Sequence, residues 1–247
     1  MKGVEAPIIF IIGTLTLLVF VLFLFRFLLV VNIVRKERKK SEALLLNILP
    51  KKIAERLKMK EQPIADSFKE VSILFIDMVG FTKFTENRDP KEVVSTLNDV
   101  FSKFDDLAEK HGLEKIKTIG DCYMAAAGIP EPHADHAQVA AAMALDVKDI
   151  MKGYTTAEGT PLHFKMGLDC GSVVAGVIGK KKFIYDLWGD AVNTASRMEA
   201  TGVMGEVHCT DIYKTSLEHS GGYIFINRGA IEVKGKGMME TWLMSRG

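Results

Sequence analysis

The sequence contains few cysteines and almost no excess of charge of either sign. Its three cysteines, Cys122, Cys170 and Cys209, are far apart and lack Cys-x-x-Cys spacing, so they predict neither a disulfide framework nor a zinc site. With a formal net charge of +1, the chain has no large excess of positive charge that would attract a polyanion, and we expect no nucleic-acid partner. His133 and His136 lie in a proline-containing loop, where we expect surface residues rather than metal ligands. With 48% apolar residues among 247, the chain can form one sizeable folded domain plus additional segments.

An apolar run near the N-terminus is long enough to cross a bilayer. It extends from Ile8 to Phe25 and resumes after Arg26 through Val31, whereas roughly 20 residues suffice for one span. A signal peptide is the alternative interpretation, but the run is long and no small-residue cleavage pattern follows it. Five basic residues come directly after it: Arg35, Lys36, Arg38, Lys39 and Lys40. The positive-inside rule therefore predicts a single-pass anchor over residues 1–34, in contact with membrane lipid, and a cytoplasmic location for the rest.

Residues 35–63 predict a cytoplasmic helical linker, with coiled-coil character, between the anchor and the folded domain. An apolar residue recurs at every fourth position: Leu45, Leu49, Ile53 and Leu57. This stripe fits either a parallel dimeric stalk, which we favour, or packing against the chain's own domain. Pro50 either kinks the helix or begins a second one. Since few residues precede the anchor, we expect any input signal to come from an upstream sensor, additional membrane segments or a partner.

The most informative stretch, VSILFIDMVGFT from Val71 to Thr82, places one acid at the end of an apolar run. Five of the six residues before Asp77 are apolar, which predicts a strand buried on both faces. A second acid, Asp121, follows Gly120 between two runs that predict the strands of a hairpin. Two carboxylates at neighbouring strand ends suit Mg²⁺ bound together with substrate phosphates. For either acid alone, a strand-end cap or an ordinary Asx turn is the alternative.

From residue 64 to residue 247 the pattern predicts an α+β domain. Asp89-Pro90 begins a helix that ends at Gly112, and a second helix extends from about Asp135 to Met151. Further strands are expected at His163–Asp169, at Ser172–Ile178 and near Glu240–Met244. The order strand, helix, strand, strand, helix, strand is that of a ferredoxin-like sheet, a split βαβ arrangement with helices on one face.

A second informative stretch, YDLWGDAVNTASRME, extends from Tyr185 to Glu199. We interpret Asp190 as a helix N-cap, which puts Asn193 and Arg197 four residues apart on one helical face. Asp186, in the preceding loop, can point into the same space. An acid, an amide and a guanidinium that converge suit a phosphorylated ligand, whereas a solvated helix face is the alternative for any one of them.

Together these motifs resemble a known family. The segments FIDMVGFT, KTIGD, YDLWGDAVNTASRME and VKGKG are similar, in order and spacing, to the catalytic domain of class III nucleotide cyclases, over about residues 44–244. The segment LLLNILPKKIAERLK also resembles the dimerising linker that precedes this domain in membrane and receptor cyclases. The resemblance implies attack of a ribose 3′-hydroxyl on the α-phosphorus of a nucleoside triphosphate, with release of pyrophosphate.

The resemblance also implies a role for each matching residue of the first stretch. Two divalent ions per site, Mg²⁺ or Mn²⁺, are expected on Asp77 and Asp121, assisted by the backbone carbonyl of Met78. Such ions acidify the hydroxyl nucleophile and neutralise charge on the leaving group. The backbone N–H groups of Phe81 and Thr82 are expected to hold the leaving phosphates.

Residues of the second stretch and of VKGKG are expected to act on the phosphates and the sugar. Arg197 matches the arginine that meets the five-coordinate phosphorus, and Asn193 matches the amide that orients the ribose. Lys234 matches the contact to the terminal phosphate, for which Lys236 is an alternative. Glu206 stands where some members have a phosphate-binding arginine, so one phosphate contact of those members is unmatched.

Lys117 and Asp186 match the pair that recognises the purine edge in this family. A lysine can donate to adenine N1 and a carboxylate can accept from the N6 amine, whereas guanylate-selective members resemble Glu and Cys at these places. ATP is therefore the expected substrate, and an adenylate cyclase producing 3′,5′-cyclic AMP is the expected enzyme. A guanylate or dual-specificity cyclase is the alternative within the class, and a non-catalytic nucleotide-binding dimerisation module is the alternative outside it.

The family further implies that each site is shared between two chains. Asp77 and Asp121 would come from one chain, and the other would supply five residues: Lys117, Asp186, Asn193, Arg197 and Lys234. Because one chain carries both sets, we expect a homodimer with two equivalent sites and an inactive monomer.

Overall fold

The structure is a computed structural model that describes residues 5–86, 88–179 and 182–247, with side chains from Gly13 onward. The chain divides into two compact units, Met1–Glu55 and Arg56–Gly247. In the first unit, helix α1 extends from Glu5 to Leu46. Its part from Gly13 to Leu46 is long and apolar enough to cross a membrane, a property that signal sequences share. Large apolar side chains around this part are exposed, which is compatible with the expected anchor.

The predicted linker is interrupted rather than continuous. Helix α1 ends at Leu46, and helix α2, Lys51–Lys58, begins directly after Pro50. This is the second of the two options for Pro50, because a proline fits the start of a helix and not its interior. Within the single chain, Leu49 and Ile53 of the apolar stripe are only 3% and 1% exposed. The described structure therefore has no single stalk helix through the four stripe positions.

The second unit is an α+β domain built on one sheet of eight strands. The strands are β1 Ala65–Met78, β2 Glu114–Ile119, β3 Cys122–Ala127, β4 Phe164–Ile178, β5 Ile184–Trp188, β6 Val207–Thr210, β7 Tyr223–Val233 and β8 Gly237–Arg246. They lie in the order β2-β3-β1-β4-β6-β8-β7, and β5 pairs with β4 outside that path. The helices are α3 Phe81–Thr85, α4 Pro90–His111, α5 His136–Met151, α6 Asp190–Ala200 and α7 Asp211–Leu217.

The predicted split βαβ order is confirmed by the run β1, α4, β2, β3, α5, β4 and by the spatial order β2-β3-β1-β4. The start of α4 is also as expected, since the Asp89 side chain accepts from Lys91 N at 2.9 Å. Gly112 ends that helix in the left-handed conformation, with φ 72°. One expected detail is wrong: in place of two strands at His163–Asp169 and Ser172–Ile178 there is a single strand, Phe164–Ile178, because pairing with β1 continues through Cys170 and Gly171.

The apolar core lies between the sheet and helices α4 and α5. Phe104 of α4 makes edge-on contacts with Tyr123 and Phe164, at ring-centroid distances of 5.5 and 5.7 Å. The strand residues 71–76 are all buried, as their apolar run predicts. His136 is buried as well, 8% exposed with Nδ1 2.8 Å from Ser72 Oγ, so the expected surface position is wrong for this residue.

Helix α6 packs on the face of the sheet opposite to α4 and α5. The sequence predicts helices on one face only, so this expectation is wrong for α6. Met166 and Leu168 of β4 belong to the core that α4 and α5 cover. Because side chains alternate along a strand, Gly167 between them faces α6. A Cβ atom at Gly167 would lie 2.5 Å from the carbonyl oxygen of Ala195, so only glycine lets the helix approach this closely.

Candidate active site

The two predicted metal-binding acids lie at the ends of neighbouring strands. Asp77 pairs with Cys122 across β1 and β3, and Asp121 is the residue before Cys122, in the β2–β3 turn. Gly120 opens this turn at φ 63°, a conformation that glycine adopts readily. Burial raises the pKa of Asp121, and the negative charge of Asp77 raises it further. The structure thus brings together two carboxylates that are 44 positions apart (121 − 77) in the sequence.

Asp77 also faces two charged residues that the sequence analysis missed. Lys165 pairs with Asp77 across β1 and β4, and its Nζ lies 3.0 Å from Oε1 of Glu199 on α6, as an ion pair without the alignment of a hydrogen bond. Burial, followed by the charge of Glu199, raises the pKa of Asp77 to about 6, and Lys165 opposes this rise. The sequence signal that could have indicated Lys165 is its charge, since it lies between Phe164 and Met166 in a predicted apolar strand.

The donor set at this place suits a hard divalent cation. No cluster of three or more His, Cys, Asp or Glu side chains with metal-binding geometry occurs in the described ranges. The carboxylates of Asp77 and Asp121 both have raised pKa values, and a cation between them would relieve their repulsion. Mg²⁺ is typically held by one or two carboxylates plus substrate phosphates. The side chain of Met78 is buried, so its backbone carbonyl is the group that could assist.

The backbone that follows Asp77 turns directly into a short helix. Gly80 is the N-cap of α3, with φ 74° and no side-chain cap hydrogen bond. The N–H groups of Phe81 and Thr82 belong to the first turn, where backbone donors have no partner within a helix. These donors therefore follow Asp77 closely along the backbone, which is compatible with the expected phosphate contacts.

Three other predicted residues line one cleft of about 400 Å³. They are Asn193 and Arg197 of α6 and Lys234 of the β7–β8 turn. Asp190 is the first helical residue rather than the N-cap, which is Gly189, and its carboxylate forms an ion pair with Lys236 in the same cleft. The structure thus supplies an amide, a guanidinium and an ammonium side by side.

Lys117 and Asp186 form an ion pair, with Nζ 2.5 Å from Oδ2. Asp186 lies in strand β5 rather than in a loop, and its Oδ1 accepts from Leu187 N at 2.8 Å. Lys115, two residues before Lys117, instead pairs with Asp105 at 2.7 Å, because the pairing of β2 with β3 shifts between the two lysines. Lys115 and Lys117 therefore have different acidic partners.

Glu206 lies apart from the cleft at Lys234. Its Oε2 is 2.6 Å from Nζ of Lys148 on α5. Both residues line a different cleft of about 500 Å³, together with His163. The acid thus has a cationic partner of its own.

Arg197 and Glu199 point in different directions from α6. Two positions along an α-helix correspond to a rotation of about 200°. Glu199 is 7% exposed and faces Lys165, whereas Arg197 is exposed and lines the cleft at Lys234. Within one chain, the guanidinium therefore points away from the face that carries Asp77.

A family model describes this arrangement. The model of the adenylate and guanylate cyclase catalytic domain matches residues 64–246. The chain belongs to this family. It is therefore a nucleotide cyclase domain by descent, and the mixed α+β fold is that of the solved cyclase structures.

Relatives of the cyclase domain carry both activities in their names. An adenylate cyclase of Mycobacterium tuberculosis (strain ATCC 25618 / H37Rv) is 45% identical over 213 residues, which is 86% of this chain and 48% of the relative. The human guanylate cyclase soluble subunit beta-2 is 42% identical over 209 residues, 84% of this chain and 34% of the relative. The chain thus spans about half or less of the length of these relatives.

A solved structure aligns with the cyclase domain over nearly its own full length. It is the guanylate cyclase domain of RhGC from Catenaria anguillulae in complex with GTP, 35% identical with a TM-score of 0.71. The match covers 73% of this chain and 98% of that chain. Because both kinds of cyclase are so similar to the chain, overall identity does not select the purine.

Proposed function

We propose that the chain is an adenylate cyclase that converts ATP to 3′,5′-cyclic AMP and pyrophosphate. The observation that carries this proposal is the 2.5 Å contact of Lys117 with Asp186, which presents one donor and one acceptor side by side. Adenine offers the complementary pair along one edge, an acceptor at N1 and a donor at N6. In the same pose guanine offers a donor at N1 and an acceptor at position 6, so the lysine would meet a donor and the acid would meet an acceptor.

Asp77 and Asp121, with the Met78 carbonyl, would hold the two divalent ions of the site, Mg²⁺ or Mn²⁺, which would supply acidification of the 3′-hydroxyl and neutralisation of leaving-group charge. The N–H groups of Phe81 and Thr82 donate to the phosphates that leave. The two carboxylates must be ionised to bind cations, so protons compete with the cations at Asp77, whose pKa is raised by burial and by the charge of Glu199.

The cleft residues act on the other side of the reacting phosphorus. Arg197 donates its planar set of N–H groups to the equatorial oxygens, where negative charge increases in the transition state. Asn193 orients the ribose, and Lys234 contacts the terminal phosphate. All three line one cleft, so a single triphosphate can reach them together.

The active site is shared between two copies of the chain. The opposite directions of Arg197 and Glu199 on α6 support this, because the acid face and the cleft of one chain do not converge. A C2 homodimer joins the acids of each copy to the cleft of the other and creates two equivalent sites. A monomer is then inactive although it contains every residue.

Helix α1 is the membrane anchor of this enzyme. It has the length and composition of a span, and the five basic residues that follow the apolar run within this helix orient the catalytic domain toward the cytoplasm. Residues 1–34 form the anchor, residues 35–63 the linker and residues 64–247 the catalytic domain. The full chain should remain with membranes after an alkaline carbonate wash, and a variant lacking residues 1–34 should be released. Release of the full chain would contradict the anchor.

Product identification tests the activity. The purified chain is incubated with ATP or GTP in the presence of Mg²⁺ or Mn²⁺, and the cyclic product is identified by mass. We expect cyclic AMP from ATP, with little product from GTP. Cyclic GMP as the main product would support a guanylate cyclase, and nucleotide binding without turnover would support a non-catalytic module.

A further inference from the structure

The cleft at Asn193, Arg197 and Lys234 is assembled from two separate elements, helix α6 and the β7–β8 hairpin. The distance between Arg197 and Lys234 therefore depends on how firmly the helix is held against the hairpin. Among the described residues, a polar contact joins these elements at each end of α6. The two contacts differ in exposure and hence in strength.

The contact at the C-terminal end of α6 is made by Arg228 of β7. Its Nη1 donates to the carbonyl oxygen of Thr201, the C-cap residue, at 2.5 Å. Carbonyl groups at a helix C-terminus lack partners within the helix and carry partial negative charge, so a guanidinium there is stabilising. Arg228 lies where the pairing of β7 with β8 shifts between Asn227 and Gly229. Such a bulge redirects a side chain out of the regular alternation.

His208 of β6 completes this contact. It is 0% exposed, its Nδ1 lies 2.7 Å from the carbonyl oxygen of Met198, and its Nε2 lies 3.2 Å from Nη1 of Arg228. Burial lowers the pKa of His208 to about 4, so the ring is neutral near pH 7. Nδ1 then donates to Met198, and Nη1 of Arg228 packs against the ring, 3.3 Å from Nδ1 and 3.2 Å from Nε2. Two carbonyl groups of the last turn of α6 are thus bound by residues of the sheet.

The contact at the N-terminal end is weaker. It joins Asp190 to Lys236, and the Asp190 side chain is 73% exposed. Exposed ion pairs contribute little because water and salt screen them. The Arg228 contact, which is partly buried, is therefore the one that fixes the helix on the hairpin.

We propose that Arg228 is a positioning residue for the cyclase reaction: it holds the end of α6 on β7 and thereby sets the distance between Arg197 and Lys234. This rests on the roles of Arg197 and Lys234 in the proposed function. Thr201 is four residues after Arg197, and Lys234 is six residues after Arg228. The contact therefore joins the helix that carries Arg197 to the strand that leads to Lys234, while the cleft itself is lined by residues of 190–197 and 234–236.

Kinetics of single variants give the first test. Because a displacement of about 1 Å can lower a rate by about 100-fold, we expect Arg228→Met to lower kcat by about 10- to 100-fold and to change KM for ATP little. Arg228→Lys keeps a cationic donor and should recover part of kcat. Wild-type kcat in Arg228→Met overturns the proposal. If Arg228→Met does not fold, Arg228→Gln replaces it, and wild-type kcat in that variant overturns the proposal equally.

Arg246→Met is the matched control. Arg246 belongs to the same hairpin and donates to Asp149 of α5 at 3.2 Å, on the side away from α6. Its loss should leave kcat unchanged. An equal fall of kcat in Arg246→Met and Arg228→Met would mean that the hairpin matters only for general structure, which contradicts the proposal.

Isolated heterodimers separate positioning from a general loss of structure. In a heterodimer of Arg228→Met with Asp77→Ala, one site combines intact acids with an intact helix, so its activity should equal that of Asp77→Ala with Arg197→Ala. In a heterodimer of Arg228→Met with Arg197→Ala, every site has a defective α6, so activity should not exceed that of the Arg228→Met homodimer. Equal activity of these two Arg228→Met heterodimers overturns the proposal. An inactive heterodimer of Asp77→Ala with Arg197→Ala instead contradicts the shared site, and kcat of the homodimeric variants then decides on Arg228.

Discussion

Lys165 and Glu199 form an ion pair, with Nζ and Oε1 3.0 Å apart, between strand β4 and helix α6. Lys165 also faces Asp77 across the sheet. It is therefore a cation in a group with three acids, Asp77, Asp121 and Glu199. Burial is the largest cause of the raised pKa values of the two aspartates. The charge of Glu199 raises the pKa of Asp77 further, and the charge of Asp77 raises that of Asp121. The lysine stabilises the acid-rich strand ends of the protein without a bound metal.

Removal of this lysine should destabilise the chain mainly when divalent ions are absent. For Lys165→Met we expect a loss of about 1 to 3 kcal/mol in the free energy of unfolding in a chelator, since a partly buried acid group loses its counter-ion. Mg²⁺ should then stabilise the variant more than the wild type, because it meets less competition from a resident cation. Denaturant unfolding with and without Mg²⁺ measures both effects.

Lys115→Met is the control for that prediction, because its ion pair with Asp105 is more exposed. We expect it to change stability by less than about 1 kcal/mol. An equal loss in the two variants, with the same response to Mg²⁺, would show that Lys165 has no special relation to the acids.

Asp169 predicts a pH dependence of stability outside the active site. Burial raises its pKa to about 6 from an ordinary value of 3.8, and Thr210 Oγ1 donates to its Oδ1 at 2.5 Å. The folded chain therefore binds this proton more tightly than the unfolded chain does between about pH 4 and pH 6. The stability contributed by the protonated form is lost as the pH rises through this window.

An Asp169→Asn variant isolates that effect. The amide cannot ionise and can still accept from Thr210 through its oxygen. We therefore expect the free energy of unfolding of the variant, relative to that of the wild type, to be about 1 to 2 kcal/mol higher at pH 7.5 than at pH 4.5. Urea unfolding at the two pH values provides the comparison. A stability difference between variant and wild type that is independent of pH would contradict the raised pKa.

The elements that could be predicted from the sequence are those with a local pattern. Strand β1 follows from its apolar run, the β2–β3 turn from Gly120-Asp121, and helix α4 from Asp89-Pro90 and Gly112. Each of these signals acts within a few residues, so the pairing partner was not needed. The acids at the ends of β1 and of the hairpin could be placed for the same reason.

The residues that escaped prediction depend on contacts between distant segments. Lys165 meets Asp77 only through the register of β4 on β1, and Glu199 meets Lys165 because Gly167 lets α6 lie close to the sheet. Asp186 lies in β5, a strand of five residues that exists by pairing with β4. Arg228 is redirected by a bulge. None of these relations leaves a periodic trace in the sequence.

Arg197→Ala should impair turnover much more than substrate binding. We expect kcat to fall by about 100- to 1000-fold with KM for ATP little changed, because the contact to the phosphorus strengthens only in the transition state. Arg246→Ala serves as a surface arginine control and should retain wild-type kcat. A rise in KM without a fall in kcat would place Arg197 in ground-state binding instead.

Mixing Arg197→Ala with Asp77→Ala should restore activity. Each variant alone has two defective sites, whereas the heterodimer has one site with intact acids and an intact cleft. We expect about half of the wild-type activity per heterodimer, since one of two equivalent sites is intact. Heterodimers that form but stay inactive would contradict a site shared between chains.

The most direct test of the account is the purine preference of a double variant. The ratio of kcat/KM for ATP to that for GTP is measured in the wild type, in Lys117→Glu with Asp186→Cys, and in the control Lys115→Glu. We predict that the wild type prefers ATP, that the double variant shifts toward GTP by at least about 10-fold because a hydrogen-bonded base edge is discriminated strongly, and that the control keeps the wild-type ratio. An unchanged ratio in the double variant, with activity retained, would contradict the assignment of Lys117 and Asp186 to adenine recognition.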